Sequence, residues 1–216
     1  MTTLKPIALT CPVCENRFGS SAVLGRGSAW RKRTDFQEPT AGRTTLPFLV
    51  HMCPRCGFAA AAEDFEEPRT DGSLRDRVRS ELTPRLGGRP LSGSEKLEFA
   101  AKVALWQGEG MRRVAELWLY AAWCCVDEGD TEAERYFQRF VARAYEDALA
   151  SYDGVDVDDR AVITYLVGEL WRRIGDAATA QAWFDAVPAE ITKPSGQEWI
   201  LAGARAQRDA PKEWFD

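Results

Sequence analysis

A chain of 216 residues, 45% of them hydrophobic and with a formal net charge of −5, can build one large globular domain or two small ones. Its apolar runs are short against the roughly 20 residues of a membrane-spanning helix, so no transmembrane segment is read; the first six residues do not form an export signal either, and the cytoplasm is the expected compartment. The charge is uneven: residues 1–62 hold eight Lys/Arg against three Asp/Glu, and residues 91–216 hold fourteen against twenty-three, so only the first part suits a phosphate backbone.

Residues 1–62 contain two Cys-x-x-Cys pairs, with short strands predicted at 7–10 and 48–52 around Gly- and Ser-rich loops. In Cys11-Pro-Val-Cys14 and Cys53-Pro-Arg-Cys56-Gly57 the two-residue spacer lets both thiolates of a pair turn onto one ion. Two such knuckles complete a tetrahedral shell of four sulfurs, with Zn–S distances of about 2.3 Å. The 38 residues between the pairs exceed the roughly 12–20 of compact zinc patterns, so the loop between the knuckles is an insertion. A cytoplasmic structural site of this kind points to one zinc ion; rubredoxin-like iron uses similar knuckles and stays open. Four protein ligands leave no position for water, which points away from zinc hydrolysis. His51, the only histidine, is read as a strand residue beside the site rather than a ligand. Arg26, Arg31, Lys32, Arg33 and Arg43, with Trp30, make the insertion basic, a pattern that suits nucleic acid or simply solvent.

Residues 63–93 mix charges with Pro68, Gly72, Pro84, Gly87, Gly88, Pro90 and Gly93, and read as a linker or wrapping segment with one short helix at 73–82. Residues 94–216 read as stacked helices. Ser94 is the expected N-cap of a helix through Leu97, Ala101, Ala104 and Leu105. A second helix, 111–128, is apolar at Val114, Leu117, Trp118, Ala121 and Cys125, with Leu119, Tyr120 and Trp123 on another face, so it should pack between two neighbours. Cys124 and Cys125 are adjacent on it, point about 100° apart, and read as core thiols. A third helix covers 132–150. The acidic loop 153–159 lacks the spacing of a calcium loop and reads as a solvated helix N-terminus. Ile163, Leu166, Val167, Leu170, Trp171 and Ile174 mark a fourth helix; Ala180, Trp183, Phe184 and Val187 a fifth; residues 197–207 a last amphipathic one.

Two of these helix pairs resemble tetratricopeptide units: Gly168, Trp171, Gly175, Ala180 and Phe184 fall at the small and aromatic positions, as do Ala121, Ala133 and Phe137 in the earlier pair. Phe137 and Phe184 are 47 residues apart, beyond the regular period of about 34, so the repeats are expected to be irregular. The fold class read from the sequence is therefore mainly α, with a small β-containing, zinc-ribbon-like N-terminal module and irregular tetratricopeptide-like helical repeats.

Cys11-Pro-Val-Cys14, Asp35-Phe36, Pro47-Phe48-Leu49-Val50, Cys53-Pro-Arg-Cys56-Gly57-Phe58-Ala59 and Glu63-Asp64-Phe65 together resemble the bacterial family classed as domain of unknown function 2225. Glu15 departs from it, standing where a Gly commonly follows the first pair. The resemblance implies a zinc-binding module joined to a tetratricopeptide-like region, and no known activity. Three functions stay open. A cytoplasmic adaptor or scaffold would take a protein or peptide partner on its helices; a nucleic-acid binder would use the basic insertion; an enzyme would need carboxylates that converge only in space, since no nucleophile elbow, phosphate-binding Gly loop or His-based metal site is present.

Overall fold

Backbone pairing begins on either side of the first cysteine pair. In a computed structural model of the chain, which describes residues 3–25, 29, 31–39, 44–66, 69–151 and 154–215, strands β1 (Thr3–Thr10) and β2 (Arg17–Gly25) run antiparallel from Thr10 opposite Arg17 to Thr3 opposite Gly25. The sequence expects a loop where β2 lies. Gly19, Ser20, Ser21 and Ala22 carry little β propensity, and the ladder to β1 supplies the order that their side chains do not. The strand expected at 48–52 shrinks to β3 (His51–Met52), paired antiparallel with β4 (Ala59–Ala60). Pro47 lies in the first turn of a 3₁₀ segment, Leu46–Phe48, where its fixed φ and missing N–H suit a helical start rather than a ladder.

The next stretch wraps the second knuckle. A single turn, α1 (Glu63–Glu66), precedes α2 (Gly72–Arg77), whose path continues through a π turn, Val78–Leu82, and a 3₁₀ turn, Thr83–Leu86. Leu74, Val78 and Leu82 are buried, and Thr83 Oγ1 donates to the Cys56 carbonyl at 2.8 Å. Helix α3 (Gly93–Trp106) is capped by Ser92, not Ser94: Ser92 and Glu95 exchange side-chain and backbone hydrogen bonds in a capping box. Ser94 is already helical, and its N–H and Oγ reach Glu128 at 3.0 and 2.6 Å, tying the start of α3 to the end of the following helix.

Helices α4 (Met111–Glu128), α5 (Thr131–Ser151), α6 (Arg160–Ile174), α7 (Ala177–Ala186) and α8 (Pro194–Asp209) then pack each against the next, with α6 also touching α8. Gly129 and Gly175 end α4 and α6 at φ 74° and 101°, the left-handed C-cap that lets the chain reverse at once. Gly168 sits under Phe184, where a Cβ would fall 2.9 Å from the ring, so α6 and α7 approach as closely as their small residues allow. Buried residues form one continuous core from Cys11, Phe58 and Phe99 to Tyr165 and Ile200. Among the described residues no helix is long and apolar enough to cross a membrane. The protein is mainly helical, with a small β-containing N-terminal part that carries the cysteine cluster.

Candidate metal centre

Each cysteine pair is the connection of a hairpin, and the two connections have the same backbone plan. Between β1 and β2, Cys11 N–H donates to the Asn16 carbonyl at 2.9 Å and Glu15 N–H donates to the Cys11 carbonyl at 2.9 Å. Between β3 and β4, Cys53 N–H donates to the Phe58 carbonyl at 2.8 Å and Gly57 N–H to the Cys53 carbonyl at 2.9 Å. The Pro after each first cysteine has no N–H to satisfy. The turns also direct amides at sulfur: those of Val13 and Cys14 at Cys11, those of Arg55 and Cys56 at Cys53, and that of Phe58 at Cys56.

The two turns meet. All four Sγ atoms lie within 4.8 Å of one another, with Cys11 and Cys56 at 3.5 Å and Cys14 and Cys53 at 3.6 Å. A disulfide would need about 2.05 Å, whereas the edge of a ZnS₄ tetrahedron with Zn–S near 2.3 Å is about 3.8 Å. The sulfur set therefore fits a metal ion and does not fit disulfides. Cys11, Cys53 and Cys56 are buried, and Asn16 Nδ2 donates to Cys53 Sγ at 3.7 Å from the opposite knuckle. Asn16 is a contributor that motif spacing does not reveal.

Electrostatics favour a cation at the centre. Hydrogen bonds from Cys11 and Cys56 hold the Cys53 thiol far below its ordinary value. The contact with Cys53, with burial, pushes Cys11 up to about 12, and contacts with Cys11 and Cys53, with burial, push Cys56 higher still. Four sulfurs this close can all ionise only with positive charge between them, which is how metal binding displaces thiol protons.

The remaining sequence candidates fall elsewhere. His51 is buried outside the cluster, its Nδ1 2.8 Å from Ser20 Oγ and its ring edge-on to Phe65; burial lowers its pKa and favours the neutral ring. Cys124 and Cys125 are fully buried in α4, and burial raises both thiols. In the acidic loop, Asp158 accepts from Thr192 and Lys193, and Asp159 pairs with Arg112 at 2.7 Å.

Of the basic insertion, Arg26, Arg43 and Trp30 lie outside the described residues. Arg33 is buried, paired with Asp35 at 3.2 Å and with Glu134 of α5 at 3.0 Å. Arg31 and Lys32 stay at the surface, Arg31 over the Trp214 ring and Lys32 beside Glu38. The segment folds into a tight turn, Arg33 N–H to the Gln37 carbonyl at 2.8 Å, with Phe36 at φ 70°. Thr34 Oγ1 donates to Glu169 at 2.6 Å and accepts from Arg173 at 2.8 Å; Phe36 lies against Tyr165, Trp199 and Phe215. Gln37 reaches the Trp123 carbonyl at 3.1 Å. The C-terminal segment closes over it, with Thr34 N–H donating to the Glu213 carbonyl at 3.1 Å and Phe215 N–H to the Lys32 carbonyl at 3.0 Å. The insertion between the knuckles is thus anchored among α4, α5, α6 and α8. Asp35-Phe36 is conspicuous in the sequence, but nothing there shows that its partners lie more than a hundred residues away.

A protein-family model described as "Uncharacterized protein conserved in bacteria (DUF2225)" matches residues 6–210. Neither a curated protein nor a solved structure matches the chain.

Proposed function

The chain belongs to the DUF2225 family of uncharacterized bacterial proteins, and from that premise we propose a non-enzymatic cytoplasmic adaptor or scaffold. In this reading one zinc ion, held by Cys11, Cys14, Cys53 and Cys56, staples the N-terminal part, and the helices, read as irregular tetratricopeptide-like pairs, present a surface to a protein or peptide partner. Four thiolates on one ion leave no place for a metal-bound water, so the metal's contribution is folding energy, roughly 10–16 kcal/mol in small zinc peptides.

The observation that supports a partner surface is a contrast between two faces of the helical region. The face toward α6 and α8 is covered by the chain's own residues 33–37 and 213–215, which leave a single large apolar side chain there, Trp199, exposed among the described residues. Between α3 and α5, by contrast, Leu105, Tyr136 and Phe140 remain 47%, 47% and 43% exposed. Clustered apolar exposure of this kind marks interaction sites. The inward, ion-paired Arg33 gives the nucleic-acid reading less to stand on than the adaptor reading. A photo-reactive residue placed at Phe140 in living cells tests the proposal: one discrete protein adduct is expected there and not at Leu24, an exposed control on β2. Absence of any adduct at Phe140, or equal labelling at both positions, counts against it.

A further inference from the structure

Where β4 packs against α3, a cavity of about 200 Å³ opens between the cysteine-bearing part and the helices. It exists because the side chains facing it are small. Ala59 and Ala60 of β4 and Ala100 and Ala104 of α3 are buried in its wall, and Val103 and Leu117 complete the apolar lining. Ala100, Val103 and Ala104 share one face of α3 by their spacing, and Leu105 points away from it. The cavity is therefore separate from the exposed apolar surface between α3 and α5.

The charged lining residues are Asp64 of α1, Arg69, Glu109 and Arg113 of α4. All four are partly exposed while the apolar wall is buried, so they form the mouth. Two carboxylates converge there on one guanidinium: Arg69 Nη2 lies 3.7 Å from Asp64 and also contacts Glu109. The Arg69 side chain is 61% exposed, and exposed ion pairs of this kind are weak. The space between the two carboxylates is thus one that a cation occupies and can leave. Arg113 is held loosely, by Glu116 at 3.6 Å, and Glu116 is shared with Arg112 at 3.5 Å.

We propose that this cavity binds a free aliphatic α-amino acid. The ammonium group sits between Asp64 and Glu109 in place of the Arg69 guanidinium, the carboxylate pairs with Arg113, and the side chain enters the alanine-lined end. The volume is below the roughly 300–1,000 Å³ of sites for drug-sized ligands, which restricts the occupant to a small molecule. A ligand of one sign would use only half of the mouth, whereas a zwitterion forms charge-assisted hydrogen bonds with both halves. A polar side chain is disfavoured because it would leave water for a wall that offers it no partner. This inference goes beyond the adaptor reading and does not depend on it.

The test is calorimetric titration of the full-length, zinc-loaded protein with L-valine, L-leucine and the two half-molecules of leucine, 4-methylpentanoate and 3-methylbutylamine. At least one amino acid is expected to bind, and leucine about tenfold or more tightly than either half-molecule, since each of those forfeits one set of charged hydrogen bonds. Ala104→Leu, which fills the apolar end, should abolish binding. Arg113→Gln should weaken the amino acid about tenfold and leave the amine unaffected, while Arg69→Ala, which removes the resident cation, should tighten binding several-fold. Arg79→Gln, on the exposed side of the turn before α3, should change nothing. Circular dichroism checks that each variant is folded, and if Ala104→Leu is not, the two arginine variants decide. Binding of neither amino acid, a half-molecule that binds as well as leucine, or affinities that Arg113→Gln and Arg69→Ala leave unchanged would overturn the proposal.

Discussion

Glu15 and Gly57 hold the same place in the two cysteine turns. Each donates its N–H to the carbonyl of the first cysteine of its pair at 2.9 Å, and each is left-handed, at φ 60° and 84°. Gly57 suits that conformation, and a Cβ there would meet the Phe99 ring at 3.1 Å and Leu82 Cβ at 3.2 Å. Glu15 has a Cβ in a region that costs an L-residue about 1–2 kcal/mol. Glu15→Gly is therefore expected to stabilise the protein by roughly 0.5–1 kcal/mol, after allowing for the greater flexibility of glycine in the unfolded chain. Gly57→Ala should destabilise it, through both φ and crowding. Urea denaturation of the two variants checks the opposite signs, and matching signs would refute the equivalence of the turns.

Glu169 carries the second prediction. It is fully buried in α6, where it accepts from Thr34 at 2.6 Å, Arg172 at 2.8 Å and Arg173 at 2.6 Å. Glu169→Leu removes the buried carboxylate that two guanidiniums share, but Arg172 and Arg173 keep Glu213 at 3.0 and 2.7 Å, so the expected cost is about 2 kcal/mol, below the roughly 3–5 kcal/mol of a fully orphaned buried charge. Amide exchange should accelerate at residues 33–37 as the turn loses its anchor. A loss under about 1 kcal/mol with unchanged exchange would show that the turn is held by Phe36 packing instead.

The buried Cys125 thiol gives a pH dependence. Burial pushes it up to about 12, while in an unfolded chain it titrates near 8.5. From about pH 8.5 to 12 the native state therefore keeps a proton that the unfolded state loses, so the thiol's contribution is complete below that window and declines as pH rises. Cys125→Ala should make the alkaline fall in stability shallower by about 1 kcal/mol per pH unit. An unchanged slope would contradict the assignment.

Much of this was legible in the sequence, for physical reasons. The cysteine pairs announce their geometry because a two-residue spacer constrains both sulfurs at once, and α4 announces itself because its apolar stripe follows the helical period. Strand β2 does not, since Gly19, Ser20 and Ser21 owe their order to β1 across the ladder. The capping box Ser92-Gly-Ser-Glu95 was readable, but Ser94 competes with Ser92 as the first polar residue before the apolar run. Arg33 looked solvated because charge runs usually are; its partner Glu134 is 101 residues away, and no local pattern encodes that.

Chelation separates the two classes of thiol. Removing the ion should free Cys11, Cys14, Cys53 and Cys56 for alkylation and loosen the N-terminal part, while Cys124 and Cys125, buried in α4, should react only on global unfolding. Six thiols reacting together with chelator alone would mean that the metal holds the whole fold.

X-ray absorption at the metal edge, on protein purified without added metal, addresses the structural-zinc reading most directly. One zinc per chain is expected, with four sulfur neighbours at about 2.3 Å and no oxygen or nitrogen in the coordination shell. A stoichiometric iron signal would replace the metal, and an oxygen neighbour at zinc would contradict the closed site and reopen the case for catalysis.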